Sequence, residues 1–363
     1  MKSWPRARDA RVSLTRPAWW LLAAGLGFVV SAGCDAPGGP LLLDDPCWQG
    51  APSGGAPLDL QCTGLYDNWQ EKRLSPKARP FAPGTILWSD GAIKRRFLSL
   101  PDNTTIDTSN PNEWVFPVGT KAWKEFALGT RVVETRLFEK VAANKWLRAA
   151  YVWSADGKTA TRYDRGIPNF EGTGYSVPSV SDCDKCHEGR VDRLLGFEAI
   201  SLAEPTATGL TLDVLNAEGR LAPAVDPAQM RIPPTVDPAT RAAVSWLHVN
   251  CGISCHNRAA DSTAMATQMF LRLEHDQLAG AAVAGPAAFD ALQTTVGVRA
   301  RISKWSGSLR IKPGSPIDSL LFRLATSRGP EQMPPILTHK PDPDGTRVLR
   351  EWIGSMTPTA ALP

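Results

Sequence analysis

The 363 residues include only five histidines and four tyrosines. Chemistry built on imidazole must therefore draw on His187, His248, His256, His275 and His339. No apolar stretch is long enough to cross a bilayer. The run Ala18 to Val30 has thirteen residues, where a spanning helix needs about 20. Excess charge is also nearly absent. The formal net charge of +4 comes from 40 basic and 36 acidic residues. Lys2, Arg6, Arg8, Arg11 and Arg16 lie in the first 33 residues with a single acid, Asp9. Past residue 33 there remain 35 of each sign, which excludes the electrostatic footprint of a nucleic-acid binder.

What is present starts with that basic leader. Followed by a short apolar core, it reads as an export signal over 1–33 and not as part of the fold. The core ends in Ser31-Ala32-Gly33-Cys34. This resembles the lipobox of bacterial lipoproteins, in which the chain is cut before the cysteine and the thiol is acylated. Ser31 stands where that motif prefers leucine. The expectation is an exported protein, periplasmic or on the outer membrane of a Gram-negative bacterium, held to the membrane by acyl chains on Cys34. An ordinary secretory signal beside a chance cysteine is the alternative.

In an exported chain, Cys183-Asp184-Lys185-Cys186-His187 is the attachment signature of a covalent c-type haem. Two thiols one turn apart add across the porphyrin vinyl groups, and the adjoining imidazole ligates the iron. Zinc or thiol redox chemistry is the rival reading of Cys-x-x-Cys. A looser copy, Cys251-Gly252-Ile253-Ser254-Cys255-His256, has three residues between its cysteines. Three readings stay open there: a second haem, copper with His248 or His339 joining, or a plain disulfide. Cys47 and Cys62 remain as a pair in a loop-rich segment and read as a disulfide, which closes a loop worth about 3 kcal/mol in the chain-entropy model.

Residues 34–79, rich in Gly, Pro and Ala, read as a tether and a disulfide-pinned start. From 80 to 180, short β-branched and aromatic runs predict strands. They are Ile93 to Leu100, Glu113 to Val118, Ala122 to Leu128, Arg131 to Val141, Lys145 to Trp153 and Lys158 to Tyr163. Asp156-Gly157 marks a hairpin. Trp88, Trp114, Trp123, Trp146 and Trp153 fall in this region and read as core, with a sugar-binding face as the alternative. Residues 181–236 carry the first motif, with no amphipathic helix before Cys183. That predicts a haem packed between the β-rich part and the second half of the chain. Asp237-Pro238 is an N-cap with a first-turn proline, opening a helix that runs into Cys251. Ser315-Pro316 predicts another helix. Val348, Leu349, Trp352, Ile353 and Met356 form one stripe of a closing helix. The fold class expected is α+β, an antiparallel β domain followed by a mostly helical domain.

Residues 237–363 read as one domain, and over about 237 to 356 the order of parts is an opening helix, a Cys…Cys-His turn, the loop Met333-Pro334-Pro335 and a closing helix. It resembles class I c-type cytochromes, with an insertion between His256 and Met333. The resemblance implies His256 as proximal ligand and Met333 as distal ligand. The chain past the leader also resembles a poorly characterised family of exported bacterial haem proteins. Its β domain has segments like Leu87-Trp88-Ser89-Asp90-Gly91 and Phe116-Pro117-Val118-Gly119-Thr120. For the first haem, Met230 is the candidate distal ligand, with His248, His275 and His339 competing. Met265 and Met269, four apart, read as core, as does Met356. The function expected is single-electron transfer with a redox partner protein, a dehydrogenase or a terminal acceptor. The alternatives are a haem peroxidase or oxygenase with one open iron, and a glycan-binding lipoprotein with structural haem.

Overall fold

The computed structural model describes Cys47, residues 55–187, Arg190, Asp192 and residues 194–358. The expected leader, Cys34 and the start of the tether lie outside these residues. The fold is α+β. Seven strands form an antiparallel sheet: β1 Arg79–Ala82, β2 Ile93–Ser99, β3 Lys121–Leu128, β4 Arg131–Ala142, β5 Lys145–Trp153, β6 Ala160–Arg162 and β7 Thr208–Gly209. Their order across the sheet is β7-β1-β2-β3-β4-β5-β6. The hairpin between β5 and β6 turns at Asp156-Gly157, where Gly157 takes a φ of 68° that a side chain would disfavour. Glu113 to Val118 is not a strand. Pro117 lies within it and Pro111 just before it, and neither has the N–H a ladder needs, so only Val115 bridges, to Asp107.

Both faces of the sheet are covered. One carries Phe97, Trp123, Leu137 and Tyr151, closed by Ala56, Leu60 and Leu65. Cys47 and Cys62, joined with their Cα atoms 5.4 Å apart, tie that covering segment. The other face packs Leu98, Phe138 and Trp146 against Phe197, Leu202, Leu212 and Met230. This second core spans the boundary expected at residue 180, and β7 is itself an edge strand from the second half. Phe81, Phe116 and Trp114 meet around the Phe197 ring, with centroids 4.8, 6.0 and 6.2 Å away. Each such side chain contributes about 1.5–3 kcal/mol through burial.

The helices are α1 Val180–His187, α2 Ala199–Ala203, α3 Leu212–Ala217, α4 Pro238–Leu247, α5 His275–Ala284, α6 Asp290–Gln293, α7 Leu320–Thr326 and α8 Pro343–Ser355. Asp237 caps α4 by accepting from the Thr240 amide at 2.9 Å. Asp342 caps α8 and also accepts from Trp246 Nε1 at 2.8 Å, joining the two helices. Gly345 allows their close approach, since a Cβ there would lie 2.0 Å from the Trp246 ring. Leu349, Trp352 and Ile353 are the buried part of the α8 stripe, and Val348 and Met356 pack against it half-buried. The helix expected from Ser315-Pro316 begins later, at Leu320. Ser319 instead bonds back to Ser315 and Lys312, closing a turn. Among the described residues no helix is long and apolar enough to cross a membrane.

Candidate haem-binding sites

The first motif lies on α1. Ser179 and Asp182 bond reciprocally at its start: the Asp182 carboxylate accepts from the Ser179 amide and hydroxyl, and the Asp182 amide donates to Ser179 Oγ. This Ser-x-x-Asp box is a local sequence signal for the helix that carries the motif. Helical spacing then puts Cys183, Cys186 and His187 at i, i+3 and i+4, on one face. Asp184 pairs with Arg148 of β5 at 2.8 Å and ties α1 to the sheet. The His187 ring stacks on Phe138 of β4, centroids 4.3 Å apart. All three motif residues line a cavity. Its other walls are the sheet, the loop Leu87 to Asp90, and the loop Pro334 to Thr338. Burial pushes the Cys183 thiol up, and burial with Cys255 nearby pushes Cys186 up to about 11.

The second motif shows how one extra residue is absorbed. α4 widens at His248–Gly252 into a π-helical turn. There Ile253 N–H donates to the His248 carbonyl at 2.8 Å and His256 N–H to the Cys251 carbonyl at 2.9 Å. Such i to i+5 bonds take up a one-residue insertion and are frequent at functional sites. Gly252 is pressed on a neighbouring backbone: a Cβ would sit 2.5 Å from the Arg272 nitrogen. Gly252→Ala should therefore cost about 1–3 kcal/mol of stability by overpacking. A urea midpoint checks it, and an unshifted midpoint would show that the turn adapts.

His256 is buried, and its Nδ1 lies 3.2 Å from the Met269 carbonyl. A carbonyl only accepts, so Nδ1 carries the hydrogen and Nε2 keeps its lone pair. Burial pushes His256 down to about 4, leaving it neutral. A neutral imidazole oriented by a backbone acceptor is the usual state of a metal-ligating histidine. The cavity it lines also holds Cys251, Cys255, Met269 and Met333, with Leu271, Ile302, Leu321 and Leu324 as apolar walls. Burial pushes Cys251 up to about 12.

No protein-family model matches the sequence, and no curated protein or solved structure matches it either. Function has to be read from the two cavities. The donor sets fit covalent haem: each cavity has two free thiols and one imidazole from a single segment, and the second adds thioethers. Among the described residues no group of three or more His, Cys, Asp or Glu side chains converges. His248 spends both nitrogens elsewhere, Nδ1 accepting from the Leu273 amide at 3.0 Å and Nε2 facing Glu198 at 3.5 Å. His339 is held by Asp90 at 3.0 Å. Cys251 and Cys255 are not bonded to each other.

Met230 is not brought to the first cavity. It is 3 % exposed, packed in the core among Phe197 and Leu202, because the turn Pro227–Met230 folds under α2. His248, His275 and His339 do not line that cavity either; His275 opens α5 on a separate cleft. Met269, expected to be core, lines the second cavity, whereas Met265 and Met356 do not. Of the five tryptophans, Trp114, Trp123, Trp146 and Trp153 are buried and present no sugar-stacking face. Trp88 instead clasps the β part to the second half, taking the Asn250 carboxamide oxygen on its amide at 2.7 Å and donating Nε1 to the Lys340 carbonyl at 2.8 Å. Beside it, Asp90 accepts from the His339 and Lys340 amides at 2.8 and 2.9 Å.

Proposed function

We propose that the chain is an exported electron-transfer protein with two covalent c-type haems. Cys183, Cys186 and His187 hold one; Cys251, Cys255 and His256 hold the other. The observation that supports this is the common wall of the two cavities, since Asn250, Cys255, Pro334 and Pro335 border both. Two centres so close form a path for single electrons. Haem bound there supplies an iron that takes up and releases one electron. The chain's share is to orient His256 through Met269, stack His187 on Phe138, exclude water with apolar walls and offer the Met333 thioether. Donor and acceptor are redox proteins met outside the cytoplasm, with Cys34 as the lipid-bearing residue.

The intact mass of the exported protein should show two added haems, with Cys186→Ala retaining one. A wild-type mass with one haem or none sinks the two-haem reading. Redox catalysis is the second reading, favoured by one observation: among the residues lining the first cavity, His187 is the only His or Met. Carbon monoxide and peroxide added to the reduced protein separate the two. Inertness to both supports a carrier, and rapid carbon monoxide binding with peroxide turnover supports a catalyst.

A further inference from the structure

The sheet face that floors the first cavity is charged where a core face would be apolar. In the register of β2, β3 and β4, Arg96 stands opposite Lys124, and Lys124 opposite Arg136. Lys94 lies two residues from Arg96 on the same face, opposite Phe126. Like charges directly opposite on neighbouring strands repel, and enclosure away from water strengthens the repulsion. Glu134 answers Arg136, accepting from its Nε at 2.6 Å and Nη2 at 3.0 Å. Lys94 donates to the Leu87 carbonyl and Ser89 Oγ.

Arg96 and Lys124 have no such answer. Arg96 is 5 % exposed, and both line the cavity. Neither makes a hydrogen bond or ion pair with any described residue; Lys124 only lies 5.3 Å from the Phe126 ring. Burial first, then the neighbouring cations, push Lys124 well below the ordinary lysine range. Lys94 is pushed down to about 7 for the same reasons. Asp90 and Asp182 line the same cavity, but Asp90 is taken by the His339 and Lys340 amides and Asp182 by Ser179 and Lys185, while the Glu134 charge that reaches Lys124 is paired with Arg136. Two cations facing one cavity with no acid bonded to either call for negative charge from outside the chain.

Covalent haem brings two carboxylates. We infer that Arg96 and Lys124 seat the paired carboxylates of the porphyrin in the first cavity, which rests on the haem reading of Cys183, Cys186 and His187. The two thiols fix one edge of the ring and the cations another, so its orientation is set from both sides. Charge-assisted hydrogen bonds of this kind are about twice as strong as neutral ones. The row is then a preformed receptor, repulsive when empty and relieved when filled. A cation beside each carboxylate offsets negative charge that would favour the oxidised iron, and so raises the potential of this site.

The test uses the full, haem-loaded chain with Arg96→Gln and Lys124→Gln, and with the charge-keeping Arg96→Lys and Lys124→Arg. The readout is a potentiometric titration that resolves the two haems. Each neutral variant should keep its covalent haem and shift the first site about tenfold toward the oxidised form, about 59 mV lower for one electron. The second site should not move, and the charge-keeping variants should stay near wild type. An unmoved first potential in both neutral variants overturns the seat. So does a change from low to high spin in Lys124→Gln, which would make Lys124 an iron ligand. A wild-type potential that shifts with added phosphate at constant ionic strength overturns it as well, by making the site one for a free anion. A wild-type mass without haem on Cys183 and Cys186 overturns the haem reading and the seat together, and is seen before any titration.

Discussion

Asp192→Asn should destabilise the folded chain by about 3–5 kcal/mol, because it leaves a buried ammonium without its counter-charge. Lys140 is 1 % and Asp192 5 % exposed, with Nζ and Oδ2 2.6 Å apart. The same carboxylate accepts from Trp146 Nε1 and the Phe116 amide, both at 2.6 Å. Asp192 lies five residues past the first motif, so this network anchors the exit of α1 on β4 and β5. Asparagine removes the charge and keeps only one acceptor oxygen, so its NH2 must face a donor, either the indole on the Oδ1 side or the Phe116 amide and Lys140 on the Oδ2 side. Adding Lys140→Met should recover part of the loss, since the unpaired ammonium is then gone. Urea midpoints at unchanged slope measure it. A single-variant loss below about 1 kcal/mol would mean that Lys140 reaches water, at odds with its burial.

The second large effect is expected at Met333. Its thioether is on the wall of the second cavity, and its backbone is pinned there by a 2.9 Å bond from its amide to the Leu324 carbonyl. Gln332 braces the loop by donating to the Thr338 carbonyl at 2.7 Å. Asp90, from the β part, holds His339 and Lys340 just beyond that loop. With the proposed haem on Cys251, Cys255 and His256, Met333→Ala should abolish the weak red charge-transfer band of sulfur-ligated ferric haem. It should also lower the potential of the second site by tenths of a volt, within the roughly 0.8 V range that axial ligands command. Met269 is the control, because it lines the same cavity while its carbonyl holds His256 Nδ1. Met269→Ala should leave the band in place. The assignment fails if the band survives in Met333→Ala and disappears in Met269→Ala.

Much of the local structure was legible in the chain. Asp237-Pro238 and the 3.6-residue stripe from Val348 to Met356 each lie within a few turns, so pattern and capping alone place α4 and α8. The pairing of Cys47 with Cys62 came from having no other use for either thiol. Ser179 and Asp182 are equally local, but the helix they open is short and has no apolar stripe before Cys183, so the hydrophobic pattern does not show it. The Lys94, Arg96, Lys124 and Arg136 row was not legible. Charged residues on a strand look the same whether their face meets water or lines a cavity.

The sequence by itself determined the chemistry within each segment: two thiols and an adjoining imidazole, once with two and once with three residues between the cysteines, and most of the elements on which they ride. Tertiary structure decided which segments meet. It put Met230 in the core and Met269 on a cavity wall, absorbed the residue between Cys251 and Cys255 as a π-helical turn, and set two cavities back to back at Cys255. The physical reason is range. Hydrogen-bond periodicity and capping act over four or five residues and leave their mark in the string. Which face of a strand is enclosed depends on packing between residues a hundred or more apart, which no local pattern encodes.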